Sequence, residues 1–181
     1  MVTTPRLTYQ DYANLEGDER YELIDGELIL VASPNRDHQT ISLRLASRML
    51  SFVDENDLGW VFDAPFDVLL TDTDVVQPDV MFISREREGI STPANIQGSP
   101  DMIVEILSPS SSRRDWREKR DLYARHGVLE CWIVDPTNRL VWIMLLRGGA
   151  LEIEQICAEG DTATSTVLEG FGVSLDEIFS L

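Results

Sequence analysis

At 181 residues, 43% of them apolar, the chain has the length of one domain and enough hydrophobic content to bury a core without disulfides or structural metal. Fifteen basic against 32 acidic residues leave a net charge of −17, awkward for a nucleic-acid binder, so any such reading has to rest on a local patch. No apolar stretch approaches the roughly 20 residues of a membrane helix, and residues 1–6 lack the charged-then-apolar build of a secretion signal, so the expectation is a soluble, cytoplasmic protein.

Fourteen of the basic residues are arginine and one, Lys119, is lysine, so a reaction that needs a lysine has a single candidate. Cys131 and Cys157 sit in strand-like apolar surroundings without paired spacing or a nearby histidine, which reads as two reduced core or edge thiols.

In chain order, residues 21–30 place Asp25-Gly26 between two short apolar runs, the signal of a β-hairpin. After Ser33-Pro34-Asn35, Ile41, Leu45, Met49 and Phe52/Val53 recur at the spacing of one helical stripe, ended by residues 56–59. The pattern then turns extended, with strands expected over 60–70, 75–83 and, after a loop at 89–100, over 102–107. Ser112-Arg113-Arg114-Asp115 reads as a capping box opening a helix that closes near Gly127. Strands at 130–135, 140–146 and 151–157 follow, and Ser174-Leu175-Asp176-Glu177 caps a short last helix. No linker divides residues 1–181, so one domain is expected. The order predicts an α/β or α+β fold: a mixed sheet flanked by helices, with an N-terminal hairpin and a C-terminal antiparallel meander.

Two acids stand out. Glu105 interrupts the apolar run Met102-Ile103-Val104-Glu105-Ile106-Leu107, where an unpaired charge is costly to bury. Asp79 is the lone carboxylate of residues 75–83, on the strand face of Gln77 and Met81. Carboxylates on neighbouring strands can share a cation, and magnesium suits one or two carboxylates plus a substrate phosphate. The plainer alternatives are an ion pair between Glu105 and an arginine, and a turn role for Asp79 after Pro78. On the following helix Asp115, Lys119 and Tyr123 line one stripe, whose plain reading is an Asp-to-Lys pair at i, i+4; Asp115 is accounted for by the capping box.

His38 shares the stripe of Ile41 and Leu45 and reads first as a core-edge histidine, and Glu22 as a hairpin acid facing solvent or an arginine; both are auxiliary candidates, as is Tyr123. Arg113, Arg114, Arg117, Arg120 and Arg125 crowd around Lys119 as the locally basic patch that could meet phosphates, the alternative being a solvated helix face.

Taken together, Pro78-Asp79, Glu105-Ile106-Leu107, Asp115-Trp116-Arg117-Glu118-Lys119 through Tyr123, Cys131-Trp132-Ile133-Val134-Asp135-Pro136 and the opening Tyr21-Glu22-Leu23-Ile24-Asp25-Gly26-Glu27 resemble the Uma family of "putative restriction endonucleases", within the PD-(D/E)XK nuclease superfamily. Leu107 stands where the superfamily pattern has lysine; the Uma pattern carries it on the next helix, at Lys119 here. The resemblance implies a restriction-endonuclease-like fold and a DNA phosphodiesterase. It implies magnesium, with manganese as the alternative ion, held by Asp79, Glu105 and the Ile106 carbonyl, and Lys119 acting on the attacking water and the phosphate charge. By analogy with nucleases that cut both strands, a homodimer is expected. The competing readings are a catalytically silent domain used for binding or assembly, favoured by the charge, and a metal-free acid/base hydrolase using the two carboxyls.

Overall fold

The computed structural model describes residues 6–108 and 113–180, the side chains of residues 113–115 excepted. Ahead of the expected hairpin stands a short helix, α1 (Tyr9–Ala13), anchored by the Asp11 carboxylate, which accepts from the Thr8 N–H and hydroxyl, each at 2.8 Å. The hairpin pairs β1 (Tyr21–Ile24) with β2 (Glu27–Leu30). Its turn residues, Asp25 and Gly26, have φ of 50° and 78°, the left-handed pair that a two-residue hairpin turn requires. Asn35 caps α2 (Arg36–Glu55) by accepting the His38 N–H at 2.9 Å, and Ile41, Leu45, Met49 and Val53 form its buried stripe, as the periodicity predicts.

Two expected strands are each divided by a proline, which has no N–H to continue a ladder. Residues 60–70 form β3 (Gly59–Asp63) and β4 (Val68–Thr71), with Pro65 between them. Residues 75–83 form β5 (Asp74–Val76) and β6 (Val80–Ser84), separated at Pro78. Asp79 therefore precedes a strand rather than lying inside one. After a 3-10 helix (Arg85–Ile90), the expected loop contains a two-residue strand, β7 (Ile96–Gln97). Close to their expected bounds come β8 (Met102–Ile106), α3 (Arg113–Arg125), β9 (Glu130–Asp135), β10 (Leu140–Arg147) and β11 (Ala150–Ala158). The capping box expected at 112–115 lies outside the described side chains. Two short strands not anticipated, β12 (Thr162–Thr164) and β13 (Gly172–Ser174), precede α4 (Leu175–Phe179). Ser174 makes no side-chain capping bond to α4, and Asp176 accepts from the Gly160 N–H instead.

The strands form two main sheets where the sequence pattern suggests one, because the two prolines send successive halves of each run to different sheets. β3 and β6 lie in a six-stranded sheet of order β11-β10-β9-β8-β6-β3; β4 and β5 lie in a five-stranded sheet of order β2-β1-β5-β4-β7. In the larger sheet only β8 and β9 run parallel, and α3 is the crossover that a parallel pair needs. One face of that sheet, with Val80, Phe82, Val104 and Trp132, is covered by α2 and the C-terminal elements. The other, with Met81, Ile103 and Cys131, meets Leu122 and Tyr123 of α3 and Val68 and Val76 of the smaller sheet. No described helix is long and apolar enough to cross a membrane.

Glu130, fully buried at the start of β9, is a second acid in an apolar strand. Its carboxylate accepts the Trp132 indole N–H at 2.5 Å and the backbone N–H groups of Thr166 and Val167 at 2.8 and 2.9 Å, fastening the C-terminal segment to the sheet. Truncation as Glu130→Ala removes the acceptor of all three donors, the fully buried Trp132 indole among them, and a buried donor left unmade costs about 1–3 kcal/mol. The expected loss is about 2 kcal/mol or more in urea unfolding at unchanged m-value; a loss below ~1 kcal/mol contradicts this role.

Candidate functional site

Pro78 sets the geometry. The register pairing Val80 with Val104 would bring residue 78 opposite Ile106, but a proline offers no N–H to the Ile106 carbonyl. The Ile106 N–H, which would otherwise seek the same missing strand, donates to Asp79 Oδ2 at 2.7 Å. The Pro-Asp step thus ends the ladder, leaves a carbonyl without its ladder donor, and fixes a carboxylate beside it. The Asp79 carbonyl accepts the Ala64 N–H at 3.1 Å, which ties this corner to the end of β3.

Glu105, on the neighbouring strand, faces α3 as strand alternation requires. Lys119 Nζ bonds Glu105 Oε1 at 3.1 Å and Glu22 Oε1 at 2.8 Å, and the Tyr123 hydroxyl donates to the same Glu105 oxygen. Lys119 and Tyr123 are one turn apart, so both reach one carboxylate. Glu22 is not the solvent-facing hairpin acid the sequence suggests: its side chain is 5% exposed and also accepts the Gln77 N–H at 3.0 Å. Gln77 in turn donates its side-chain amide to Asp67 at 2.8 Å and to the Tyr12 hydroxyl at 3.1 Å, so α1 and β4 support the acid that holds the lysine. Neither Gln77 nor its network was singled out in the sequence; an amide directly before Pro-Asp in an apolar run was the available signal.

From the opposite face, His38 in the first turn of α2 brings Nε2 to 3.2 Å from Asp79 Oδ2. The described structure therefore brings together Asp79, Glu105, Ile106 and Lys119 with all three auxiliary candidates. Of the basic patch, Arg120 lines the same cleft of about 400 Å³ and stacks over Trp116 at 5.5 Å, whereas Arg117 lines an adjoining cavity of about 620 Å³. The side chains of Arg113, Arg114 and Asp115 lie outside the described residues.

The electrostatics follow from crowding acids in a poorly hydrated place. Burial pushes the Glu105 carboxyl up to about 7; Lys119 opposes this, Asp79 and Glu22 reinforce it, and the Tyr123 bond opposes it again. For Lys119, burial disfavours the ammonium, but Glu105 and Glu22 outweigh it and hold the pKa above the usual lysine value. For His38, burial likewise favours the neutral ring, and the Asp79 bond and charge, Glu105 and the Ile106 carbonyl together raise its pKa. Among the described residues no three His, Cys, Asp or Glu side chains already converge as a metal cage. The donor set nonetheless suits a hard cation. Magnesium keeps most of its waters and takes one or two carboxylates, and here Asp79, Glu105 and a carbonyl without its ladder partner lie around an excess of negative charge.

With this geometry in view, comparison with known proteins decides the family. A family model described as "Putative restriction endonuclease", Uma2, matches residues 8–176. The chain belongs to the Uma2 family. Two uncharacterized proteins of Synechocystis sp. are similar to it. One is 26% identical over 133 residues, 72% of this chain and 68% of the relative; the other is 27% identical over 133 residues, 68% and 71% respectively. A crystal structure of "a putative nuclease belonging to DUF820" from Anabaena variabilis superposes with a TM-score of 0.81 at 21% identity, covering 96% of this chain and 98% of that one. The Uma2 chain thus has the expected restriction-endonuclease-like fold.

The raised Glu105 pKa has a measurable consequence. A carboxyl near 7 when folded and near 4.5 when unfolded binds more protons in the folded state between those values, so stability falls as pH rises through that window. Below pH 4.5 the contribution is fully present; above 7 it is lost. At about 1.4 kcal/mol per pKa unit, the effect reaches at most ~3 kcal/mol. Thermal melts of the metal-free protein should therefore show Glu105→Gln losing less stability than wild type from pH 4.5 to 7.5. Parallel curves would refute the assignment.

Proposed function

We propose that this Uma2 protein is a metal-dependent endonuclease hydrolysing DNA phosphodiester bonds, with Asp79, Glu105 and Lys119 as its catalytic residues. What carries the reading is the meeting of these three side chains in one cleft on a Uma2 chain, each from a different element. Asp79, Glu105 and the Ile106 carbonyl would hold magnesium, or manganese in its place. Bound metal supplies Lewis-acid polarisation of the scissile phosphate and activation of water.

The chain's own residues do the rest. Lys119 places a fixed positive charge at the cleft, where it orients the attacking water and stabilises charge developing on the phosphate oxygens. Glu22 holds the same ammonium, so Lys119 cannot swing away without leaving a buried acid unpaired. Tyr123 fixes the Glu105 rotamer through its hydroxyl. Arg120, braced on Trp116, would offer a guanidinium to a neighbouring phosphate in place of its pairing with Asp121. Few such contacts imply weak binding with a shallow salt slope, at about −0.9 per neutralised phosphate.

Cleavage of supercoiled plasmid tests this. With magnesium or manganese at low salt, wild type should nick and linearise the DNA, and chelation should abolish the activity. Lys119→Ala should reduce the rate about 100-fold or more. Asp79→Asn, which keeps an oxygen for the Ile106 N–H, should be equally impaired while retaining the wild-type circular dichroism spectrum. Cleavage that survives chelation would point to metal-free acid/base hydrolysis. DNA neither bound nor cut would favour the binding or assembly reading, which the net charge of −17 supports.

A further inference from the structure

We infer that His38 is itself a metal ligand, through Nε2, and that this makes the site select manganese-like ions over magnesium; the inference rests on the metal site proposed above. The ring nitrogens of a buried histidine are for the most part hydrogen-bonded. His38 is buried to 13% side-chain exposure, yet its Nδ1 finds no hydrogen-bond partner among the described residues, while Nε2 is aimed at Asp79 Oδ2, 3.2 Å away. The Ile106 carbonyl lies beside the ring and Glu105 is near enough to act on it by charge. The ring thus meets Asp79 through Nε2, lies beside the Ile106 carbonyl and feels the charge of Glu105.

The placement is built in by three independent features. Asn35 caps α2 through the His38 N–H and so fixes which helical residue stands in the first turn. The stripe of Ile41 and Leu45 turns that residue's face toward the sheet. Pro78 ends β6 pairing where the ring arrives, leaving Asp79 and the Ile106 carbonyl to meet it. An imidazole in this position would replace one water on the cation, Nε2 binding through the lone pair of the Nδ1–H tautomer and any proton on Nε2 passing to solvent.

The ligand type then sets the preference. Magnesium favours oxygen donors, whereas manganese and cobalt accept imidazole nitrogen readily. A set of two carboxylates, one carbonyl and one imidazole should bind manganese more tightly than a purely oxygen-lined site would.

Titration calorimetry with manganese and, separately, magnesium, together with pulsed electron paramagnetic resonance of the manganese-loaded protein, reads this without any activity. Wild type should show the ¹⁴N coupling of a directly bound imidazole. His38→Ala and His38→Gln should abolish that signal and weaken manganese binding tenfold or more, with magnesium affinity changing less than threefold and the melting temperature of the metal-free variants kept near wild type. Manganese bound without nitrogen coupling, or with unchanged affinity in both variants, overturns the inference while leaving the Asp79 and Glu105 site standing. Wild type that binds neither ion overturns the metal-site reading and this inference together.

Discussion

The ammonium of Lys119 is the counter-charge on which the arrangement depends. Glu22 and Glu105 come from different sheets, and both point into a largely dry space where two carboxylates could not ionise side by side unaided. One cation between them makes the juncture of the sheets tolerable. The pair is not a simple source of stability, because desolvating three charges consumes most of what their attraction returns. Its consequence is positional: removing Lys119 leaves two buried acids uncompensated, so the one ammonium holds both carboxylates in register.

That register is delivered by the topology. A parallel pair cannot be joined by a tight turn, so the step from β8 to β9 requires a crossover, and α3 serves as one. A crossover helix lies on a sheet face, and its buried stripe of Leu122 and Tyr123 decides which face of the helix looks down. Lys119, one turn before Tyr123, is thereby directed at the strand that the helix has just left. Leu107 stands two residues after the acid, and it is the helix that brings a lysine charge back to Glu105.

The acids of this site were legible as lone charges in apolar runs, and the same signal also marks Glu130, which is structural. What separates them is partners that no local pattern contains. Glu130, itself fully buried, is saturated by two backbone N–H groups and an indole, all neutral, whereas Glu105 meets a lysine and a tyrosine in a cleft. Lys119 was legible because it has no rival in the chain. Glu22 was misjudged because its partner is 97 residues away, and hairpin acids ordinarily face water. His38 was placed on the right stripe but not at Asp79, since strand alternation alone could not reveal that Pro78 ends the pairing there. The same omission merged four short strands into two long ones and two sheets into one: hydrophobic periodicity records which residues are buried, not which sheet buries them.

The net charge of −17 looks hostile to a polyanionic substrate, but charge acts over a limited range. At physiological ionic strength the Debye length is about 8 Å, so acids on distant surfaces are largely screened from a phosphate in the cleft. What such a phosphate meets is the local set: Glu22, Asp63, Asp79, Glu105 and Glu118 against Arg20, Lys119 and Arg120, with His38 among them. The acids exceed the fixed cations there, and the chain already signals the imbalance by raising the Glu105 carboxyl to about 7 and by raising the pKa of His38. Protons are a provisional answer to that excess, and a divalent cation answers it more completely, because it adds two charges where the carboxylates crowd and presents a positive face to the phosphate. Under the proposed function, the acidity of the cleft would be the means by which it recruits the positive charge that a phosphate substrate requires.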